Sequence, residues 1–167
     1  MTSTTPSQPS ASSQWVLLSY RIPREPSTPR ITVWRKLKRL GVAQLGDGLV
    51  ALPADARTRE ALEWIAEEVI EADGSAMVWL AQPASRTQEQ QLAQAMTDAR
   101  AAEYDTVLAD AEQAAALPEA ERLRVMRRLR DELRRIHRRD YFPPPQRSAA
   151  ERAVAGLHPD HPEQETA

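Results

Sequence analysis

Nine arginines fall within the eighteen residues from Arg122 to Arg139, at positions 122, 124, 127, 128, 130, 134, 135, 138 and 139. Guanidinium groups at that density suit contact with the phosphates of a nucleic acid, where charge dominates affinity and salt weakens it. Arg124, Arg127, Arg128, Arg134, Arg135 and Arg138 are the candidates in this run, and Arg35, Lys38 and Arg39 form a second basic set. Arg21, Arg24 and Arg30 are candidates for binding a phosphate or a tetrahedral oxyanion. Arg30 follows Pro29 in the first turn of an expected helix, where free backbone N–H groups favour an anion. The competing reading is structural: Asp131, Glu132 and Asp140 interrupt the arginine run, and exposed helix faces are commonly charged.

Other chemistry is thinly represented. The chain has no cysteine, which excludes disulfides, thiolate metal sites and a thiol nucleophile. His158, Asp160 and His161 are close in sequence, but Pro159 and Pro162 surround them in a segment with no packing pattern, so no metal site is assigned. His137 has only Asp140 nearby, and Asp47 between Gly46 and Gly48 is explained by turn chemistry. A metal-dependent nuclease would be expected to carry an acid at the end of its first strand, where this chain has Tyr20 and Arg21. With no nucleophile, base and orienting group together, the sequence predicts a binding protein without a cofactor rather than an enzyme.

The apolar pattern predicts the elements that must position these groups. Trp15 to Ile22 reads as a strand buried on both faces. Ser27, Thr28 and Pro29 open a helix in which Val33, Trp34, Leu37 and Leu40 mark a core face that ends at Gly41. Val42 to Leu45 and Leu49 to Leu52 flank a tight turn at Gly46, Asp47 and Gly48. A second helix carries Leu62, Ile65, Ala66, Val69 and Ile70, and a fourth strand covers Ala76 to Leu80. The order βαββαβ predicts an α+β fold, a ferredoxin-like sheet whose inner strands are the first and third. A C-terminal helical hairpin is expected to follow. Its first helix, Arg86 to Ala116, has a thin stripe of Leu92, Met96, Ala99 and Ala102, then Val107, Leu108 and Ala111. Its second starts at Pro118 and carries Leu123, Met126, Leu129, Leu133 and Ile136. Arg100, Glu103 and Tyr104, with Arg139 and Asp140, are expected to lock the helices structurally.

Charge is segregated along the chain. Residues 57–121 carry fourteen acidic against four basic side chains, whereas 122–152 carry eleven basic against four acidic. Such segregation suits a polar partner or an internal contact. Residues 1–13 and 143–167, rich in Ser, Thr, Pro, Glu and Ala, are expected to be disordered tails around a domain at 14–142, split into a sheet part at 14–82 and a helical part at 83–142. Neither a leader nor a membrane span is evident, so a cytoplasmic location without membrane contact is expected.

One set of residues resembles a known family. Trp15-Val16-Leu17-Leu18-Ser19-Tyr20, Pro23, Pro26-Ser27, Arg30, Val33-Trp34-Arg35, Leu37-Lys38, Gly41, Leu45, Asp47-Gly48 and Leu52-Pro53 look like the N-terminal domain of the chromate resistance protein ChrB family. Arg100-Ala101-Ala102-Glu103-Tyr104 and Arg139-Asp140-Tyr141-Phe142 extend the likeness over residues 15–142. The resemblance implies a role in chromate resistance, where longer members are regarded as regulators of operons carrying a chromate efflux pump. It adds DNA, a homodimeric partner and chromate itself as the oxyanion to the expected ligands. Longer members have a second domain, so a sensing function housed there is expected to be absent. The layout is also similar to the sheet domain of phenylacetate-type repressors and to small CRISPR-associated endoribonucleases, an analogy of fold alone. Two functions follow as expectations: a DNA-binding regulatory protein, or a protein-interaction or dimerisation module with no nucleic-acid contact.

Overall fold

Strand β1, Trp15–Arg21, is apolar on both sides, and the computed structural model, which describes residues 13–160, places it inside a four-stranded antiparallel sheet. The remaining elements are α1 (Thr28–Leu40), β2 (Ala43–Gly46), β3 (Leu49–Pro53), α2 (Ala56–Glu71), β4 (Ser75–Ala81), α3 (Arg86–Ala114), α4 (Glu119–Arg138) and α5 (Gln146–Ala155). The strands lie in the order β2-β3-β1-β4, so β1 and β3 are the inner pair, as the hydrophobic runs predict. Trp15 pairs with Pro53 and Ser19 with Leu49 across β1 and β3; on the other side Trp15 opposes Ala81 and Arg21 opposes Ser75. The turn between β2 and β3 puts Gly48 at φ +72°, and a side chain there would strike the Tyr20 carbonyl, so glycine is required twice over.

The chain packs into two compact units. The first comprises residues 13–33 and 44–89. In it, Val16, Leu18 and Leu52 are fully buried, and α2 packs on β1 and β4 through Leu62, Ile65, Ala66 and Val69. Ile70, expected on that face, is instead 56% exposed, because it lies about 80° around the helix from Leu62. Helix α2 begins with a capping box: the Thr58 backbone N–H donates to Asp55 Oδ1 at 2.7 Å, and the Asp55 N–H donates to Thr58 Oγ1 at 3.0 Å. Thr58 Oγ1 also donates to the Pro53 carbonyl at 2.6 Å, which explains a fully buried threonine.

The second unit comprises residues 34–43 and 90–160. Its core unites Tyr104, Val107, Ala111 and Ala114 of α3 with Met126, Leu129, Leu133 and Ile136 of α4. The stripe on α3 differs from expectation at its start: Met96 is buried, but Ala99 and Ala102 are exposed, because the face runs through Tyr104. The expected disordered tail from residue 143 is overturned over 143–160. Helix α5 lies there, with Ala150, Val154 and Leu157 buried in the same core, so three helices stand where a hairpin was expected. The expectations for residues 1–12 and 161–167 lie outside the described residues.

A buried polar network links these helices. Tyr104 is fully buried, and its hydroxyl donates to Asp140 Oδ2 at 2.7 Å. The Asp140 side chain is 0% exposed, Arg147 Nη1 is 3.6 Å from the same oxygen, and Oδ1 has no hydrogen-bond partner among the described residues. Glu151 Oε1 accepts from Arg147 Nε at 3.1 Å, and His137 Nε2 lies 3.0 Å from the same oxygen without a hydrogen-bond partner among the described residues. Beside this network, Arg139 Nε donates to Glu103 Oε2 at 3.1 Å and Arg100 Nη1 donates to the Arg139 carbonyl at 3.2 Å. Gly41 ends α1 at φ +72° against this pair, where a Cβ would approach Arg100 Nη1 and Arg139 Cβ to 2.6 Å. Nearby, the Tyr141 hydroxyl donates to the Leu40 carbonyl at 2.9 Å.

Gly41→Ala combines left-handed backbone strain with overpacking and is expected to lower stability by about 2–4 kcal/mol in urea unfolding. Tyr104→Phe leaves the Asp140 carboxylate short of its hydroxyl donor and is expected to cost about 1–3 kcal/mol near neutral pH. Burial, and then the bond to Asp140, raise the Tyr104 phenol above its ordinary pKa. A raised folded-state value means stability that is full below about pH 10 and lost as pH rises further. Unfolding measured from pH 8 to 11 should show an alkaline loss in the parent protein that is smaller in Tyr104→Phe.

Candidate nucleic-acid interface

Helix α4 sorts its side chains by the 3.6-residue repeat. Met126, Leu129, Leu133 and Ile136 occupy one buried face, which obliges the intervening arginines to point away from it. Glu119 and Glu121 in the first turn, and Arg135, His137 and Arg138 in the last, complement the helix dipole. Eight arginines are therefore distributed over the remaining surface of α4, with Arg139 just past its end, and their partners differ.

Four of them meet carboxylates. Arg128 Nη2 is 3.1 Å from Asp110 Oδ2, Arg135 Nη1 is 3.0 Å from Glu132 Oε2, Arg134 pairs with Asp131, and Arg139 pairs with Glu103. Arg122 Nε donates to the Leu157 carbonyl at 3.1 Å and so ties α4 to the segment after α5. Arg124, Arg127, Arg130 and Arg138 are exposed and have no ion-pair partner among the described residues. The pairs of Arg128, Arg134 and Arg135 lie on side chains more than half exposed on the arginine side, where an ion pair is worth about 0–1 kcal/mol and exchanges readily for another anion. Of the residues singled out in sequence, Arg124, Arg127 and Arg138 thus stand free and Arg128, Arg134 and Arg135 are lightly engaged. Arg130 joins the free set, and nothing in its sequence spacing distinguished it from its neighbours.

The second half of α1 also belongs to this unit. Trp34, expected in the core, is 51% exposed, because Val33 and Leu37 supply the buried side of the helix. Lys38 Nζ stands 4.6 Å from the centre of the Trp34 ring, a cation–π pair at the surface. Arg35 and Arg39 are exposed beside it, and the whole of α1 contains no acidic residue. An aromatic face bordered by cations is suited to nucleic-acid contact, and the sequence offered no signal separating this tryptophan from a core one.

The anion-binding set divides. Arg21 and Arg24 line an open cleft of about 620 Å³ in the first unit with Pro23, Asp73, Gly74 and Ser75, whereas Arg30 does not line it. The cleft includes the Asp73 carboxylate, which opposes an anion. Arg30 instead faces Tyr20, whose phenol is raised by burial and partly offset by that guanidinium. Asp47 is exposed in the β2–β3 turn. Arg100, Glu103, Tyr104, Arg139 and Asp140 fall together in the buried network of the helical unit, where their partners are one another. Among the described residues no group of three His, Cys, Asp or Glu side chains is placed to hold a metal, and His161 lies outside them. No helix of the described residues is long and apolar enough to cross a membrane.

Comparison with known proteins bears out the family resemblance. The family model described as Protein ChrB, N-terminal, matches residues 30–161. Protein ChrB of Cupriavidus metallidurans is 33% identical over 142 residues, covering 83% of this chain and 43% of its own length. The chain therefore spans less than half the length of that relative. No solved structure matches. The match runs past Phe142 into α5, consistent with that helix being part of the same folded unit. With a model covering most of its length and a relative above 30% identity, the chain belongs to the ChrB N-terminal family.

Proposed function

We propose that this chain is a non-enzymatic, cytoplasmic regulatory protein of chromate resistance that binds DNA through the arginine surface of α4. The observation that carries the reading is the set Arg124, Arg127, Arg130 and Arg138, exposed and without carboxylate partners among the described residues on a helix whose opposite face is fixed in a core. From Arg124 to Arg138 the helix rises about 21 Å, more than the roughly 12 Å width of the DNA major groove, so its ends reach phosphates on both strands. Arg35, Lys38 and Arg39 around Trp34 extend the basic surface. Membership of the ChrB family supports the chromate association, and the strand order β2-β3-β1-β4 is consistent with a ferredoxin-like sheet, read from its other edge as β4-β1-β3-β2.

A second reading is supported by Arg128, whose exposed guanidinium already meets the carboxylate of another helix, Asp110 of α3, at 3.1 Å. In it, the helix is a protein-interaction surface for an acidic partner and makes no nucleic-acid contact.

A salt titration separates the two. Duplex DNA affinity is expected to fall linearly on a log–log plot with salt, and the Arg124→Ala/Arg127→Ala/Arg138→Ala variant should lower the slope by about one per arginine removed. Absence of duplex binding at low salt, or a slope unchanged in the triple variant, rejects the DNA reading.

A further inference from the structure

The two edges of the sheet are protected unequally. Edge strand β2 is four residues long, and short edges resist pairing with other chains. Edge strand β4 has seven residues, Ser75-Ala76-Met77-Val78-Trp79-Leu80-Ala81, with no charge, proline or glycine among them. Natural edges of that length are ordinarily guarded by a lysine, a proline, a bulge or a covering segment. Here Met77, Trp79 and Leu80 are 54%, 50% and 48% exposed. Met77 and Trp79 share one face of the strand, since they oppose Ser19 and Leu17 of β1, and Leu80 lies on the other. Among the described residues one edge thus presents unpaired backbone together with apolar side chains on both faces.

We propose that β4 is a dimerisation edge at which a second copy of this chain adds its own β4 antiparallel, across a two-fold axis through Val78. The strand is complementary to itself in that register: Met77 of one copy opposes Trp79 of the other, Val78 opposes Val78, all seven residues pair, and no charge is buried. An aromatic beside a flexible thioether is a favourable cross-strand pair. Area points to the same occupant. A half-exposed Trp79 brings on the order of 100 Å² of apolar surface, and with Met77, Leu80 and the strand backbone each copy contributes roughly 500 Å², or about 1,000 Å² in total, the threshold of a specific interface. Such an area fits a dimer that forms reversibly with concentration. A charged peptide or nucleic acid would find nothing on this edge to neutralise it.

The test is sedimentation of the full chain over a concentration series, with two designed variants. The parent protein should move from its 18.7 kDa monomer mass toward about twice that value as concentration rises to roughly 0.2 mM. Met77→Lys/Trp79→Lys sets lysines opposite lysines and should remain monomeric. Met77→Lys/Trp79→Glu sets lysine opposite glutamate in this register only, and should recover the dimer. Circular dichroism checks that both variants fold, and hydrogen exchange of the parent should show β4 amide protection that grows with concentration. A parent that stays monomeric, a dimer that persists in the double-lysine variant, no recovery with the charge pair, or β4 protection independent of concentration each overturns the proposal. The outcome is independent of DNA binding, because the α4 arginine variants leave β4 intact and should keep the parent mass.

Discussion

The apolar seam of α4 is the constraint from which the rest of the helical unit follows. Met126, Leu129, Leu133 and Ile136 recur at three and four residues, and burying them against Tyr104, Val107, Ala111 and Ala114 fixes the rotation of the helix. Every arginine on α4 is then committed to the flanks or to solvent by geometry, since an unpaired guanidinium in such a core would carry a large desolvation cost. The same rotation determines which arginines find carboxylates. Arg128 and Arg139 reach Asp110 and Glu103 of α3, while Arg124, Arg127, Arg130 and Arg138 face water. The charged surface is thus a consequence of core packing rather than a separate feature laid over it.

The end of α4 shows how tightly this unit is specified. The Asp140 side chain is wholly buried, and its position is held by the Tyr104 hydroxyl, with the Arg147 guanidinium nearby. A buried carboxylate is costly unless partnered, so the Tyr104 hydroxyl and the nearby Arg147 offset the cost of holding this group out of water. It couples α3, the end of α4 and α5, and Gly41 and Tyr141 carry the same close fit to the end of α1. Loss of one partner in such a network leaves a buried polar atom behind, which makes these positions sensitive although none of them lies on the exposed basic surface.

Much of this was legible in the residues. The change from strand to helix period placed each element through α4 to within a few residues, and the density of Val16, Leu18, Val50 and Leu52 marked the inner strands. What escaped had physical reasons. Trp34 and Ile70 satisfy a helical spacing and look like core, yet the interior was already filled by Val33 and Leu37 in one helix and by Ile65, Ala66 and Val69 in the other. Helix α5 was hidden by three prolines before it and by its small and polar composition; Ala150, Val154 and Leu157 did carry a four-and-three spacing, but with alanine as its first member the signal is faint. The pairs of Arg134 with Asp131 and Arg135 with Glu132 are neighbours three residues apart on α4, but those of Arg128 and Arg139 were not readable, because Asp110 and Glu103 lie on another helix and their approach depends on how the two helices pack.

If the exposed arginines of α4 are the surface that meets DNA, their side chains must sense the duplex directly. The most direct measurement is NMR of the arginine Nε–H signals during addition of a short duplex at low salt. Shifts are expected at Arg124, Arg127, Arg130 and Arg138, while the signals of the partly buried Arg100 and Arg139 stay in place. Shifts confined to residues outside α4, or none at all under saturating duplex, would contradict that role.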